Sequence, residues 1–228
     1  MIATLVTIMS APKEIPGDNK VVVVMDYVVF GFFESEVKTL LVQSSKLNTW
    51  TPISDILGAE SVEESAQRML RQFPGLKASH LEQLGVHVDF NRQGEQRVVV
   101  ISMCVIIRCD ETETGANQPS RQWFGYHDLP AMDDRFISMF SEAKKRLREK
   151  SYVFSIMAPL FPQKFTVIQL QHIYESIYEM RLDKGNFAKR LVTANILKRR
   201  DEKNVMTSRK GSFYYEFNPE NLANSFKS

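Results

Sequence analysis

The sequence predicts an α+β chain in two units, a strand-and-helix body followed by a small helical unit with a β-ribbon. Three observations carry this. Apolar residues form strand-like runs between residues 21 and 108, and they recur at helical spacing in long segments after residue 132. Pro159 and Pro162 interrupt helix continuation where the two patterns meet. Residues 164–217 hold 11 Lys/Arg against 6 Asp/Glu, a surplus of five positive charges, so the remainder sums to −3 in a chain of net charge +2. A basic tail on a slightly acidic body indicates units with different partners. The expected boundaries are 1–150 for the body, 151–160 for a linker and 161–220 for the second unit.

In the body, Val21 to Phe33 and Val37 to Val42 are rich in Val, Phe, Tyr and Leu and flank the turn residues Glu34-Ser35-Glu36, which is a hairpin pattern. Ser61 to Phe73 reads as a helix with Val62, Ala66, Met69, Leu70 and Phe73 on one face. Ser61 and Glu64 form a capping box, and Pro74-Gly75 stops the helix. Leu84 to Phe90, the turn Asn91-Arg92-Gln93-Gly94 and the long apolar run Arg97 to Arg108 give two strands, the second central. Asp110 to Ser120 is polar and reads as a loop. Gln122 to Tyr126 is a short aromatic strand. Asp133 to Lys150 is a helix with Phe136, Phe140, Ala143 and Leu147 inward.

In the second unit, Thr166 and Gln169 cap a helix whose buried stripe is Val167, Leu170, Ile173, Tyr174 and Ile177. A break at Met180 to Leu182 leads to Asp183, an N-cap for a helix that buries Phe187, Leu191 and Ala194 and ends near Asn195. A strand from Ile196 to Arg200, a polar loop from Asp201 to Lys210 and a strand from Ser212 to Phe217 follow. This order is the layout of a winged helix-turn-helix.

Composition narrows the function classes. The 228 residues are 43% apolar and 25% charged, which fits ordinary folded domains and excludes a wholly disordered or collagen-like chain. No run approaches the roughly 18 apolar residues of a spanning helix. Met1 to Ser10 has no basic region before its apolar residues, so a signal peptide is not expected. On a strand Cys104 and Cys109 point to opposite faces, which argues against a bond between them and suits a reducing compartment. A cytoplasmic protein is expected.

The second helix of the helix-turn-helix carries the main functional signal. With its apolar face inward, Lys184, Asn186, Lys189, Arg190 and Thr193 occupy the outer face or its flank. Cationic and amide side chains on one helix suit the major groove, where they meet phosphates, guanine and adenine. Arg199, Arg200, Lys203, Arg209 and Lys210 concentrate charge on the wing, suited to phosphate or minor-groove contact.

Trp50 to Leu76 resembles the signature of the Nudix hydrolases. Ser54 takes the glycine place and Glu60 the first glutamate, while Arg68, Leu70, Gly75 and Leu76 match in register. Met69, Gln72 and Phe73 stand where three helix carboxylates are required. Mg²⁺ takes oxygen ligands, and a thioether and a phenyl ring cannot supply them. No resident metal, cofactor or catalytic set is therefore expected. Glu60, Glu63 and Glu64 are read as first-turn residues that cap amides and offset the helix dipole. His80, His87, His127 and His172 lack metal-ligand spacing, and neither GxSxG nor a P-loop occurs.

Leu182-Asp183-Lys184-Gly185-Asn186-Phe187-Ala188-Lys189-Arg190 resembles the Leu-Asp-Lys-Arg-Asn-Phe-Arg-Arg-Lys type motif of the Nudix-related transcriptional regulators. Arg97-Val98-Val99, Trp123-Phe124, Asp128-Leu129-Pro130, Phe165-Thr166, Leu170-Gln171 and Tyr174-Glu175 extend the likeness from about Val21 to Asn218. Gly185 and Ala188 depart from it, standing where the family often has arginines. The resemblance implies a Nudix-like α/β/α sandwich with a mixed sheet, a C-terminal winged helix-turn-helix, and a homodimer on a palindromic double-stranded operator. It also implies a small-molecule effector, either a sugar or ADP-ribose-like. Trp50, Glu60, His87, Arg97 and Trp123 are the expected effector-binding residues, as polar or aromatic side chains on elements bordering the former substrate cleft. The expected mechanism places two recognition helices in successive major grooves, ~34–36 Å apart, with the helix Asp133 to Lys150 as lever. Two rivals are a residual pyrophosphohydrolase acting on a nucleoside diphosphate derivative, and a module whose basic wing binds an acidic protein.

Overall fold

The computed structural model describes residues 21–33, 36–44, 49–73, 77–90, 97–108, 120–151, 153–205 and 211–221. The N-terminal extension 1–19, the turns at 34–35, 74–75 and 91–94, residues 110–119 of the polar loop, Cys109, Arg209 and Lys210 lie outside the described residues. The chain packs as two units. The first comprises the residues up to Gly31 with Lys38–Ala143, and the second comprises Phe32–Val37 with the residues from Lys144 onward.

The first unit holds a seven-stranded sheet. Strands β1 (Val22–Phe33), β2 (Glu36–Ser44), β3 (Thr49–Thr51), β5 (Lys77–Phe90) and β6 (Arg97–Arg108) follow the order β3-β2-β1-β6-β5. Two short strands join it, β4 (Ile53–Ile56) against β1 and β7 (Arg121–Gly125) against β2. Every residue from Met25 to Phe32 is buried, as is every residue from Ser102 to Ile107. Such unbroken burial marks strands covered on both faces. Helix α1 (Val62–Arg71) covers part of the sheet with Ala66, Met69 and Leu70. Its predicted capping box is present: Glu64 N donates to Ser61 Oγ (3.2 Å) and Ser61 N donates to Glu64 Oε2 (2.9 Å). Helix α2 (Asp134–Ser151) buries Phe136, Phe140, Ala143 and Leu147, the predicted stripe.

The unit division falls inside α2, between Ala143 and Lys144. Its last turns therefore belong with the helix-turn-helix. The expected linker is not a spacer. Helix α3 (Phe154–Met157) and a 3₁₀ turn (Ala158–Leu160) occupy it, with Pro159 at a turn start where no amide is needed. Met157, Leu160 and Phe161 are buried. Phe161 meets Phe32 (5.9 Å between ring centres), Phe165 (5.3 Å) and Phe217 (5.5 Å), which form the aromatic core of the second unit.

Helices α4 (Val167–Tyr178) and α5 (Lys184–Thr193) form the helix-turn-helix. Three strands, not two, back it: β8 (Phe165–Thr166), β10 (Ser212–Phe217) and β9 (Leu197–Asn204), in that order. The expected loop from Asp201 is strand as far as Asn204, with Ser212 opposite Asn204 and Phe213 opposite Lys203. Exposed ribbon positions need no apolar alternation, so hydropathy alone could not extend β9 past Arg200. Asn195, the predicted helix end, is left-handed (φ 51°) just past α5, and Gly211 (φ 68°) opens β10.

Candidate nucleic-acid interface and sensor unit

The turn between α4 and α5 is fixed by two polar side chains of α4. Glu175 Oε1 accepts from Leu182 N (2.9 Å) and from Gln171 Nε2 (3.1 Å), while Gln171 Nε2 also donates to the Leu182 carbonyl (3.0 Å). Both backbone groups of Leu182 are thereby satisfied at the start of α5. Burial pushes the Glu175 carboxyl up, but hydrogen bonds from Leu182 and Gln171 and the charges of Arg181 and His172 outweigh it and hold it below the ordinary glutamate value. Asp183 then caps α5 by accepting from Asn186 N (2.7 Å). Sequence reasoning assigned Gln171 and Glu175 no role in this turn. Their i,i+4 spacing on a helix with an apolar stripe was the available signal.

This frame sets which residues α5 presents. Phe187 and Leu191 are buried, Phe187 against the Tyr174 ring (5.4 Å). Lys184, Asn186, Lys189, Arg190 and Thr193 are all exposed, and so is Val192. On the ribbon, Arg199 and Lys203 both lie over the Phe213 ring, at 4.6 and 4.7 Å from its centre. An aromatic face holds cations without neutralising them. Arg200 differs, because its Nε lies 3.3 Å from Glu216 Oε2. Lys164 is held by Glu202 (2.5 Å).

In the first unit, the loop leading to α1 is organised around Arg68. Its guanidinium donates to Glu60 Oε1 from Nε (3.2 Å) and Nη2 (2.7 Å), to the Ile56 carbonyl (3.1 Å), to Ser65 Oγ (3.3 Å) and to Asp55. The hydrogen bonds from Arg68 hold the Glu60 carboxyl below its usual range. Met69 and Phe73 are buried and Gln72 is exposed. This donor set does not fit a hard divalent cation. Among the described residues, no three His, Cys, Asp or Glu side chains gather as a metal-binding group.

The expected effector residues have separate local roles. Trp50 on β3 meets Phe124 edge-on (5.1 Å), and Trp123 on β7 is 9% exposed. Glu60 is engaged by Arg68. Arg97 is exposed at the start of β6, opposite Phe90. His87 on β5 is half-buried, and its Nε2 atom is buried without a hydrogen bond. Asp26 on β1, which sequence reasoning did not single out, is 1% exposed. Its Oδ1 accepts from Ser54 Oγ (2.5 Å), and its Oδ2 lies 3.7 Å from Arg135 Nη2.

Comparisons with known proteins join both units. Residues 157–217 match the family described as the NrtR DNA-binding winged helix domain. The ADPR responsive transcriptional repressor NtrR of Acinetobacter baylyi is 22% identical, over 85% of this chain and 84% of that protein. The crystal structure of Shewanella oneidensis NrtR complexed with a 27mer DNA matches 90% of this chain and 97% of its own, with a TM-score of 0.71 and 21% identity. These matches show a winged helix domain of the NrtR type at the C-terminus and, over most of the chain, the fold of NrtR. A MutT/nudix family protein of Enterococcus faecalis shares the fold over 87% of this chain and 88% of its own, with a TM-score of 0.63 and 17% identity. The chain thus combines a Nudix-like fold lacking the metal carboxylates with a winged helix, an α+β architecture. No helix among the described residues is long and apolar enough to cross a membrane.

Proposed function

We propose that the chain is an effector-controlled repressor that binds a palindromic operator as a homodimer, with the first unit acting as a non-catalytic sensor. The observation that carries this is α5, a helix fixed at its start by Gln171, Glu175 and Asp183 that exposes Lys184, Asn186, Lys189, Arg190 and Thr193. Lys and Arg meet phosphate or guanine, Asn meets adenine, and the Val192 methyls suit a thymine methyl. Arg199 and Lys203 follow the flanking backbone, Arg200 adds to the wing, and Arg209 and Lys210 are further wing candidates from the sequence. The effector is a sugar or an ADP-ribose-like molecule. The name of the Acinetobacter relative supports the latter, and the missing magnesium carboxylates leave room for the former. Trp50, Glu60, His87, Arg97 and Trp123 border the proposed effector region, with Glu60 acting through Arg68.

The test begins with duplexes selected from a random library by the full-length protein. Affinity is then read by fluorescence anisotropy across a salt series. Lys189→Ala with Arg190→Ala is expected to weaken binding at least tenfold and to flatten the salt dependence, since each lost phosphate contact removes about 0.9 from the logarithmic slope. Unchanged affinity and slope in a folded double variant would reject this reading face.

A further inference from the structure

The second unit is not one continuous piece of chain. It takes in Phe32–Val37, the tip of the β1–β2 hairpin, while the rest of both strands packs with the first unit. Residues that flank a hairpin turn ordinarily face water. Here Phe32 is 5% exposed and Val37 1%. Phe32 meets Phe161 edge-on, with 5.9 Å between ring centres and 67° between planes. It thereby extends the cluster that Phe161 forms with Phe165 and Phe217. Val37 N donates to Ser176 Oγ (3.0 Å), a bond between residues 139 apart in sequence. A strand end that is buried must satisfy its amide, and here a side chain of α4 does so.

Ser176 sits in the stretch of α4 that organises the reading helix. Glu175, its neighbour on one side, holds Leu182 N at the start of α5 (2.9 Å). On the other side, Arg148 Nε of α2 donates to the Ile177 carbonyl (3.0 Å), and Ser151 pairs with the Tyr178 hydroxyl (2.9 Å). The hairpin and α2 therefore hold α4 at three successive residues, directly beside the carboxylate that aims α5. We infer that the tip of the β1–β2 hairpin is a part of the DNA-reading unit, and that Ser176 is the positioning residue through which it sets α4 and hence α5. This inference rests on the reading of α5 given above. Neither Phe32 nor Ser176 needs to touch DNA. Base readout requires several side chains of α5 on base edges at once, whereas phosphate contact tolerates displacement. Loss of the hairpin contact therefore lowers affinity for the operator more than affinity for unrelated DNA.

Full-length Ser176→Ala, Ser176→Thr and Phe32→Leu test this by fluorescence anisotropy on the selected duplex and on a scrambled duplex of equal length. Circular dichroism establishes folding. One net hydrogen bond corresponds to about two- to tenfold, so Ser176→Ala and Phe32→Leu are each expected to lower the ratio of specific to non-specific affinity about threefold or more. The salt slope should stay unchanged, because no phosphate contact is lost. Ser176→Thr keeps the hydroxyl and should recover the wild-type ratio within about twofold. A side chain that only stabilises the fold would leave this ratio unmoved in a folded variant. An unchanged ratio in either folded variant, equal losses on both duplexes, or no recovery with threonine would overturn the inference. If Phe32→Leu unfolds, Ser176→Ala decides. Lys189→Ala with Arg190→Ala separates the two readings. Weakened binding there, with none in Ser176→Ala, overturns this inference alone; unchanged binding in the double variant overturns the α5 reading and this inference with it.

Discussion

Replacing Glu175 with alanine tests how the recognition helix is aimed. The carboxylate accepts from Leu182 N at 2.9 Å and from the Gln171 amide at 3.1 Å, and its side chain is only 11% exposed. A hydrogen bond to a charged group contributes about 1.5–3 kcal/mol. Arg181, 3.5 Å away but almost fully exposed, adds little. The two hydrogen bonds share one acceptor oxygen and are not additive, so Glu175→Ala is expected to destabilise the second unit by about 2–3 kcal/mol. Glu175→Gln keeps a carbonyl acceptor and should lose about 1 kcal/mol. If half of the alanine loss falls on the docked position of α5, operator affinity drops about five- to tenfold, with the contacting side chains untouched. Urea denaturation and anisotropy on the same preparations measure both effects. The folded carboxyl lies below its ordinary value of 4.5, so this stabilisation is complete at neutral pH. It is lost as pH falls below that value through the lowered one. An alanine variant within 0.5 kcal/mol of wild type, or one with unchanged affinity, would refute the argument.

Three further outcomes are expected. Arg199→Ala and Lys203→Ala should each reduce the salt dependence of operator binding by up to about one unit of slope, while Arg200→Ala, whose charge is already met by Glu216, should reduce it less; anisotropy at four salt concentrations checks this. Burial raises the Asp26 carboxyl above 3.8, so the folded chain binds the extra proton between 3.8 and the raised value, and stability falls as pH rises through that window. Asp26→Asn should remove this slope, read from denaturation midpoints between pH 4 and 7 (~1 unit steps). Removing divalent cations with EDTA should leave the melting temperature unchanged, because Arg68 engages both Asp55 and Glu60. Arg68→Ala should in turn speed amide exchange across residues 55–61.

Much of the fold was legible because local signals agreed with tertiary packing. The capping residues Ser61, Thr166 and Asp183 sit at the helix starts that the sequence indicates, and the buried stripes of α1, α2 and α4 follow the helical period. Strands were harder. β3 and β4 are too short to show alternation, and β5 begins seven residues before the predicted strand. The polar end of β9 is held by pairing with β10, a non-local cause that no window of sequence contains. The outer face of α5 was readable because it is the complement of a buried stripe. Asp26 was not, since a lone acid in the run Val21 to Phe33 gives no sign that Ser54 and Arg135 will reach it.

Helix α2 is shared by the two units. The first turns of α2 belong to the first unit and its last turns to the second. At one end Arg135 faces Asp26. At the other, Arg148 Nε donates to the Ile177 carbonyl (3.0 Å), Arg148 Nη2 and Lys144 Nζ meet Glu179 at 2.5 and 2.7 Å, and Ser151 pairs with the Tyr178 hydroxyl (2.9 Å). All of these partners lie at the end of α4, the helix whose Gln171 and Glu175 position α5. Side chains thus tie α2 at both ends, Arg135 to Asp26 at one and Lys144, Arg148 and Ser151 to the end of α4 at the other. Proximity alone transmits nothing: the effector changes operator affinity only by as much as its own affinity differs between the two arrangements of that frame. A coupling of 1–3 kcal/mol, about 5- to 150-fold in affinity, is the usual scale. Four hydrogen bonds at one end of α2, each worth about 1 kcal/mol net, are enough to carry it.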